Sequence, residues 1–390
     1  MRLLVRRVLP VVAVLLLILA ALAAWNREAL VRLNAVNTLF AEDRIVWNFS
    51  HMDTLFHTVT VPRGDGPVSE LPEGDPQIMP ADFDEWLSRR AVTSLVMLRD
   101  GAVVHESYHL GTGTSDKRIS WSVAKSYLSL LFGVLLDEGH VESLDDPVTK
   151  YAPELAGSAY DGASIRNVLN MASGVTFDED YLDFWSDINK MGRVLALGGS
   201  MDDFAAGLDE TFVAPGTQWQ YVSIDTHVLS MVLRGATGRS IPDLLSEKII
   251  APMGLEAEPY YITDGYGVAF VLGGLNLTTR DYARMGQMVL QGGAYDGRQI
   301  VPADWITQST DPSAPTAPGA IQYGYQWWIP ADARPGEVLA RGVYGQYVYI
   351  DRAAGVVIAT TGADRAFREA GAFDDSLDML RRLAAADTGG

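Results

Sequence analysis

The longest apolar stretch in the chain covers residues 8–25, has no charged side chain and follows a cluster of three arginines. A stretch of this length is about sufficient to cross the roughly 30 Å hydrocarbon core of a bilayer. Because arginines favour the cytoplasmic side, we expect the rest of the chain on the outer side. We therefore predict a signal anchor or a signal peptide over residues 1–25. The folded part would then lie outside the inner membrane or, after cleavage, be periplasmic or secreted.

The pattern changes after this stretch. Residues 26–84 combine short amphipathic segments with stretches rich in Gly, Pro and Asp, which predicts an extension or spacer. Residues 92–98 and 102–108 are β-rich and flank an Arg-Asp-Gly turn, which predicts a hairpin. We therefore predict one folded domain over residues 85–386.

Helix and strand patterns occur in separate groups within this domain. Residues 122–138 are mostly apolar, as in a helix that is buried on most faces, and several further helical segments follow. Strand patterns return at 323–329, 343–350 and 356–361, before an amphipathic helical stretch at 374–385. Strands at both ends of a domain must pair across its helical middle. This order predicts an α/β (α+β) fold, with an antiparallel sheet flanked by helices and a helical lobe beside it.

Composition and charge exclude several classes of function. Of the 390 residues, 48% are hydrophobic and 20% are charged, which is typical of a globular protein. A formal net charge of -19 and the lack of a basic stripe argue against nucleic acid as a partner. The chain has no cysteine and its six histidines are dispersed, so we predict neither a metal site nor a cofactor. The sequence carries no signal about oligomeric state.

Candidate chemistry begins with Ser122 and Lys125, which form a Ser-x-x-Lys sequence where the apolar helix starts. Side chains at positions i and i+3 of a helix lie on one face, so the hydroxyl and the amine become neighbours. Burial lowers the pKa of a lysine, which can then accept the serine proton. The N–H groups of the helix start would stabilise the oxyanion of an acyl transfer. The alternative is a serine N-cap beside a lysine whose amine reaches solvent.

Several ordered segments resemble the class C β-lactamase and penicillin-binding-protein superfamily: residues 119–126, 144–148, 165–174 and 215–223. Within that superfamily, three segments are most similar to the 6-aminohexanoate-dimer hydrolase and related esterase branch: residues 177–181, 221–226 and 342–347. The resemblance implies that Ser122 is the nucleophile, that Lys125 is its base, and that Tyr221 passes the proton to the leaving group.

The resemblance also implies the rest of the site. Gly342 would let substrate approach, and the N–H groups of Ser122 and Val343 would form the oxyanion hole. Ser223 stands where many relatives carry an asparagine that binds the substrate amide. Tyr181 resembles a tyrosine that closes over bound substrate, and its alternative is a surface loop with a few buried aromatics.

The third family motif departs from its usual form. β-Lactamases and peptidases have Lys-Thr-Gly on the last core strand, whereas this chain has Ala340, Arg341 and Gly342. Ala340 offers neither a cation nor a hydroxyl to a substrate carboxylate. Neighbouring strand residues point to opposite faces, so we expect a structural or solvated role for Arg341.

We therefore predict a serine hydrolase that cleaves a small-molecule amide or ester through an acyl-enzyme, attached to a membrane by its N-terminal segment. Two alternatives remain open. One is a β-lactamase or D,D-peptidase, and the other is a non-catalytic, penicillin-binding-like recognition module.

Overall fold

The computed structural model describes residues 2–386, with side chains from residue 9 onward, so the side chains of Arg2, Arg6 and Arg7 lie outside the described part. The chain begins with helix α1 (Arg2–Trp25), whose apolar side chains are exposed from Leu9 to Trp25. No single helix with described side chains is both long and apolar enough to span a membrane. The segments Leu9–Trp25 and Arg27–Thr38 reach the length and hydropathy of a membrane span only when they are taken together, and the angle between them is 75°.

The remaining α-helices of the described residues are α2 (Arg27–Thr38), α3 (Ile45–Ser50), α4 (Met52–Leu55), α5 (Phe83–Arg89), α6 (Val123–Asp137), α7 (Ile165–Leu169), α8 (Asp187–Leu197), α9 (Met201–Ala206), α10 (Ser223–Thr237), α11 (Ile241–Leu245), α12 (Ala251–Met253), α13 (Thr279–Leu290), α14 (Ala303–Thr310) and α15 (Ala372–Ala385). Helices α7 to α12 follow one another without a strand between them, as predicted for the helical middle of the domain.

The strands are β1 (Thr58–Thr60), β2 (Val92–Arg99), β3 (Ala102–Tyr108), β4 (Arg118–Ile119), β5 (Tyr260–Ile262), β6 (Leu275–Leu277), β7 (Ala294–Tyr295), β8 (Arg298–Gln299), β9 (Gln322–Tyr323), β10 (Trp328–Ile329), β11 (Glu337–Gly342), β12 (Gln346–Asp351) and β13 (Val356–Gly362). Strands from both ends of the domain form one antiparallel sheet in the order β3-β2-β13-β12-β11-β10-β9. The predicted hairpin of β2 and β3 and the predicted pairing of the two ends are confirmed.

Two of the strand predictions in the last part are wrong in detail. Residues 323–329 are not one strand, because a turn at Gln326, with φ of 67°, folds β9 back onto β10. The pattern at 343–350 begins before its strand, since β12 starts at Gln346. The preceding strand β11 was missed, although it is the one that borders the candidate site.

Residues 26–84 do not form a separate spacer. Strand β1 pairs with β5 of the domain, and Phe49 and Val61 are completely buried. Helix α2 packs against α8, and Arg32 donates a hydrogen bond to the carbonyl oxygen of Ala196 at 2.9 Å. The apolar residues scattered among the Gly, Pro and Asp of this segment therefore belong to the core of the domain.

Helix α6 positions the candidate site. Every residue from Val123 to Leu135 is buried, and the helix packs against β11 and α10. Gly133 is required where α6 passes Trp305, since a Cβ there would lie 2.2 Å from the indole ring. A helix that is held on all sides fixes the position of its first turn.

Candidate active site

Ser122 stands at the turn that leads into α6. The preceding residue, Trp121, has a left-handed backbone conformation with φ of 43°, which non-glycine residues seldom adopt. This turn makes Ser122 the N-cap of α6 and leaves the residue 9% exposed. The Phe40 ring lies 5.6 Å from that of Trp121 and stacks at 4.7 Å on Tyr344, which is also left-handed, with φ of 62°. Aromatic packing thus holds two strained residues beside the serine.

Lys125 lies one turn into α6. Its Nζ is 3.0 Å from Ser122 Oγ and donates to the carbonyl oxygen of Leu272 at 2.7 Å. The residue is 1% exposed, and burial lowers the pKa of Lys125 to about 7, against the opposing effect of nearby carboxylates. A large fraction of such an amine is neutral near neutral pH, so it has a lone pair for the serine proton.

Two carboxyl groups that were not predicted from the sequence act on Lys125. Glu179 accepts a hydrogen bond from the backbone N–H of Ser223, and burial raises the pKa of Glu179 against the effect of Lys125. Asp225 is completely buried, and its Oδ1 accepts a hydrogen bond from the hydroxyl of Tyr160 at 2.7 Å. Burial raises the pKa of Asp225 to about 8, so this carboxyl is mostly protonated at neutral pH. Of the two, Glu179 has the larger effect on the lysine.

Tyr221 lies beside Lys125. The centroid of its ring is 5.3 Å from Lys125 Nζ and 5.0 Å from the Trp328 ring. Burial and the charge of Glu179 raise the pKa of Tyr221, while a hydrogen bond with Ser122 acts in the opposite direction. A phenol in this environment keeps its proton and can donate it, which suits a group that returns the serine proton to a leaving group.

The backbone of β11 runs directly past Ser122. A Cβ at Gly342 would lie 2.7 Å from the carbonyl oxygen of Ser120 and 3.1 Å from the backbone N of Ser122, so only glycine fits. Glycine is therefore required because the backbone of β11 approaches the backbone around Ser122. The predicted role of Gly342 in giving substrate access stays a prediction. Val343 follows in the lining of the same cleft. The oxyanion hole of Ser122 and Val343 stays a prediction.

Tyr181 and Ser223 complete the predicted set. Ser223 is 1% exposed and is the first residue of α10. Tyr181 is half-buried, and burial together with Glu179 raises the pKa of its hydroxyl. The structure brings together all seven residues predicted from the sequence: Ser122, Lys125, Tyr181, Tyr221, Ser223, Gly342 and Val343.

Ser122 lies between two hollows of different chemistry. The first, which we call the apolar cavity, has a volume of about 100 Å³ and no charged residue in its lining. The second, which we call the polar cleft, has a volume of about 190 Å³ and includes Glu179, Tyr221 and Arg341. Ser122, Tyr181 and Val343 line both hollows, so a bound substrate can extend from the serine in two directions.

Arg341 is partly exposed and packs against aromatic rings. It lines the polar cleft, with its guanidinium carbon 3.9 Å from the Phe373 ring centroid and 5.1 Å from that of Trp328. Among the described residues, no carboxylate forms an ion pair with Arg341. The alternation of strand side chains does keep it out of the Ala340 position, which is completely buried, but aromatic rings hold its cation at the cleft instead.

Some functional candidates had a weak signal in the sequence. Glu179 lies between the aromatic residues Phe177 and Tyr181 in a segment that resembles the family, yet nothing local shows that its carboxylate is buried. Phe40 lies in the segment interpreted as a spacer. Within residues 2–386, no cluster of three or more histidine, aspartate or glutamate side chains could hold a metal ion.

Comparison with known proteins shows the family of the chain. A family model described as Beta-lactamase matches residues 88–376. The 6-aminohexanoate-dimer hydrolase of Paenarthrobacter ureafaciens is 31% identical over 324 residues, which cover 78% of this chain and 82% of that protein.

Solved structures agree on the fold. A structure from Bacillus anthracis assigned as a 6-aminohexanoate-dimer hydrolase has a TM-score of 0.79 at 24% identity, covering 89% of this chain and 95% of that one. A D-stereospecific amidohydrolase from Streptomyces sp. has a TM-score of 0.57 at 19% identity, covering 75% and 99%. These two likenesses bear on the fold alone, which is β-lactamase/transpeptidase-like. With the family model matching about three quarters of its length, the chain belongs to the beta-lactamase family and is a serine hydrolase.

Proposed function

We propose that the protein hydrolyses a small-molecule amide or ester through an acyl-enzyme on Ser122. The observation that carries this proposal is the 3.0 Å contact between Ser122 Oγ and the Nζ of a lysine whose pKa burial lowers to about 7. A serine needs such a base to become a nucleophile at neutral pH. The likeness to a 6-aminohexanoate-dimer hydrolase supports an amide or ester as substrate.

The proposed reaction uses only groups of this chain. Lys125 takes the proton of Ser122 as Oγ attacks the carbonyl carbon, and the oxyanion is stabilised by the N–H groups of Ser122 and Val343. Tyr221 then passes the proton to the leaving nitrogen or oxygen as that bond breaks. Water, deprotonated by the same base, attacks the acyl-enzyme and releases the acid.

The environment of Ala340 favours this proposal over a β-lactamase or D,D-peptidase. Ala340 is completely buried at the position where those enzymes carry a lysine, so that position supplies no cation, and the neighbouring Arg341 reaches the cleft from a different place, packed on Phe373 and Trp328. A recognition module without catalysis would not need a buried lysine of lowered pKa beside a serine, because burying an amine costs stability.

The test is labelling and turnover with Ser122→Ala. A fluorophosphonate probe should label the wild type and not this variant, and Ser122→Ala should lower kcat/KM on p-nitrophenyl butyrate by about 10⁴-fold or more. Ser129→Ala is the matched control, since Ser129 is buried in the same helix and its hydroxyl has no hydrogen-bond partner among the described residues. Equal labelling of wild type and Ser122→Ala would contradict the assignment of the nucleophile.

We propose further that α1 attaches the protein to the inner membrane, with the hydrolase domain on the outer side. Its exposed side chains from Leu9 to Trp25 are apolar, and Leu17 and Trp25 are 70% and 89% exposed. A bilayer would cover this surface. After alkaline carbonate extraction of cells, the full-length protein should remain in the membrane fraction. Recovery of the full-length protein in the soluble fraction would contradict attachment, and a soluble shortened protein would instead indicate a cleaved signal peptide.

A further inference from the structure

Most of the apolar cavity is formed by three parts of the chain that carry none of the family motifs, and motif residues around Ser122 complete its lining. Residues 36–56, including Val36 and Phe40, form one wall, and Phe270 and Leu272 form a second. Helix α8 forms the third. Because the first wall belongs to the N-terminal segment, the cavity exists only when that segment is folded against the domain.

Helix α8 presents one apolar face to this cavity. Ile188, Met191, Gly192 and Leu195 all line it, and their spacing of i, i+3, i+4 and i+7 is that of a single helix face. Gly192 is the smallest residue on this face, and outside its own helix backbone and its two chain neighbours a Cβ at its position would meet no atom of the described residues within 4 Å. The missing side chain at Gly192 therefore contributes to the open volume.

The cavity offers no partner to a charged group. No charged side chain lines it, and the amide nitrogen of Asn189 already donates to the carbonyl oxygens of Tyr181 and Asp183 at 3.1 and 2.8 Å. An ammonium or a carboxylate placed here would lose its hydration without compensation. A hydrocarbon chain would instead be favoured by about 0.8 kcal/mol for each buried methylene.

The position of Tyr221 shows which part of the substrate enters the cavity. Tyr221 lines the polar cleft and not the apolar cavity, so a leaving group that takes its proton must lie in the cleft. The acyl part then extends to the other side of Ser122. We propose that the apolar cavity binds an uncharged aliphatic acyl chain and that Gly192 sets the length of chain accepted. This proposal rests on the acyl-enzyme function of Ser122.

The test compares p-nitrophenyl acetate, butyrate and 4-(trimethylammonio)butyrate on the full-length protein, with the rate of Ser122→Ala subtracted as background. The quaternary ammonium is used because a free amine at this position would attack its own ester. Butyrate buries two more methylenes than acetate, so its kcat/KM should be about tenfold higher. The terminal cation should lower kcat/KM by about tenfold or more relative to butyrate. Equal values for acetate and butyrate, or for butyrate and its cationic analogue, would overturn the proposal.

Gly192→Leu is the decisive variant, because its side chain would fill the cavity from a position that has room for it. The ratio of kcat/KM for butyrate to that for acetate should fall from about ten to about one. The matched control is Gly113→Leu, at an exposed glycine whose Cβ would also meet no other atom, where the ratio should stay at the wild-type value. Replacing glycine within a helix should also keep or raise the Tm, which checks that Gly192→Leu is folded.

The two proposals fail in different ways. If no p-nitrophenyl ester is hydrolysed faster by the wild type than by Ser122→Ala, the proposed function itself is wrong. If hydrolysis depends on Ser122 but Gly192→Leu leaves the ratio of butyrate to acetate unchanged, the function stands and the acyl-chain site is wrong.

Discussion

The two hollows that meet at Ser122 differ in the kind of sequence that builds them. The polar cleft is lined by residues of the 177–181, 221–226 and 342–347 segments, all of which resemble the family. The apolar cavity shares Ser122, Tyr181 and Val343 with the cleft, but most of its wall comes from the N-terminal segment, α8 and residues 262–273, which carry no motif. Reactive groups must have defined residue types at defined spacings, whereas an apolar wall can be built from many residue combinations. The chemistry of this enzyme can therefore be predicted from short motifs, whereas its choice of acyl group cannot.

The largest effect is expected from replacing Lys125, the base that acts on a substrate whichever hollow its parts occupy. Lys125→Met replaces the buried amine with an apolar side chain of similar volume, so kcat/KM should fall by about 10³-fold for every substrate, whatever its acyl or leaving group. Because burial lowers the pKa of Lys125 to about 7, kcat/KM of the wild type should rise as pH increases through about 7, where the amine loses its proton.

The pH profile of Lys125→Met should lack this rise. Its Tm should be no lower than that of the wild type, since an apolar side chain replaces a buried amine. Lys150→Met is a control. Lys150 is partly exposed, forms ion pairs with Glu142 and Asp146, and lines neither the polar cleft nor the apolar cavity. An unchanged rise near pH 7 in Lys125→Met would show that another group is the base.

The next effect should be confined to the polar cleft. Tyr221→Phe removes the hydroxyl that protonates the leaving group, and a poor leaving group needs that proton more than a good one does. We expect kcat/KM for butyryl anilide to fall by about 10²-fold and that for p-nitrophenyl butyrate by about tenfold or less. Tyr323→Phe is the control, since Tyr323 is buried nearby and its hydroxyl has no hydrogen-bond partner among the described residues. Equal losses on both substrates would assign Tyr221 a structural role.

Much of the fold was predictable because its signals are local. The hairpin of β2 and β3 and the buried helix α6 follow from periodicity within each segment. The turn at Gln326 could not be predicted from the sequence. Residues 323–329 are almost all aromatic or apolar, which is typical of a strand, and a glutamine does not indicate a positive φ. The N-terminal segment resembles a spacer in its sequence because its core residues are separated by Gly, Pro and Asp. The burial of Phe49 results from tertiary packing, which no local pattern indicates.

The site divides in the same way. Ser122 and Lys125 were predictable because one helix turn places them together, and Tyr221 because its motif resembles the family. Glu179 was not, since an acidic residue in an aromatic loop reads equally well as a solvated side chain. Whether its carboxylate is buried depends on its contact with Ser223, which is 44 residues away and is the first residue of α10.

A smaller effect would show that the two hollows act independently. Arg341 lies in the polar cleft and forms no ion pair with any described carboxylate, so Arg341→Gln should lower kcat/KM about tenfold for an ester whose nitrophenyl leaving group carries a carboxylate. Plain p-nitrophenyl esters should change little. Because Gly192 acts on the acyl side, the losses in Gly192→Leu/Arg341→Gln should be additive in free energy within about 0.5 kcal/mol on the carboxylated butyrate ester. A clear departure from additivity would mean that substrate does not lie across Ser122 as proposed.

The smallest effect comes from Glu179, which lines the polar cleft and yet acts on the shared base. Its negative charge favours the protonated form of Lys125 and so raises the pKa of the lysine against the effect of burial. Glu179→Gln removes that charge but keeps an acceptor for the N–H of Ser223. The pKa of Lys125 should then be lower, the rise of kcat/KM should move to lower pH, and the value at pH 6 should increase about threefold for acetate and butyrate alike. A structural role alone would lower kcat/KM at every pH without moving the rise, and a change for only one of the two esters would place Glu179 in substrate binding rather than in tuning the base.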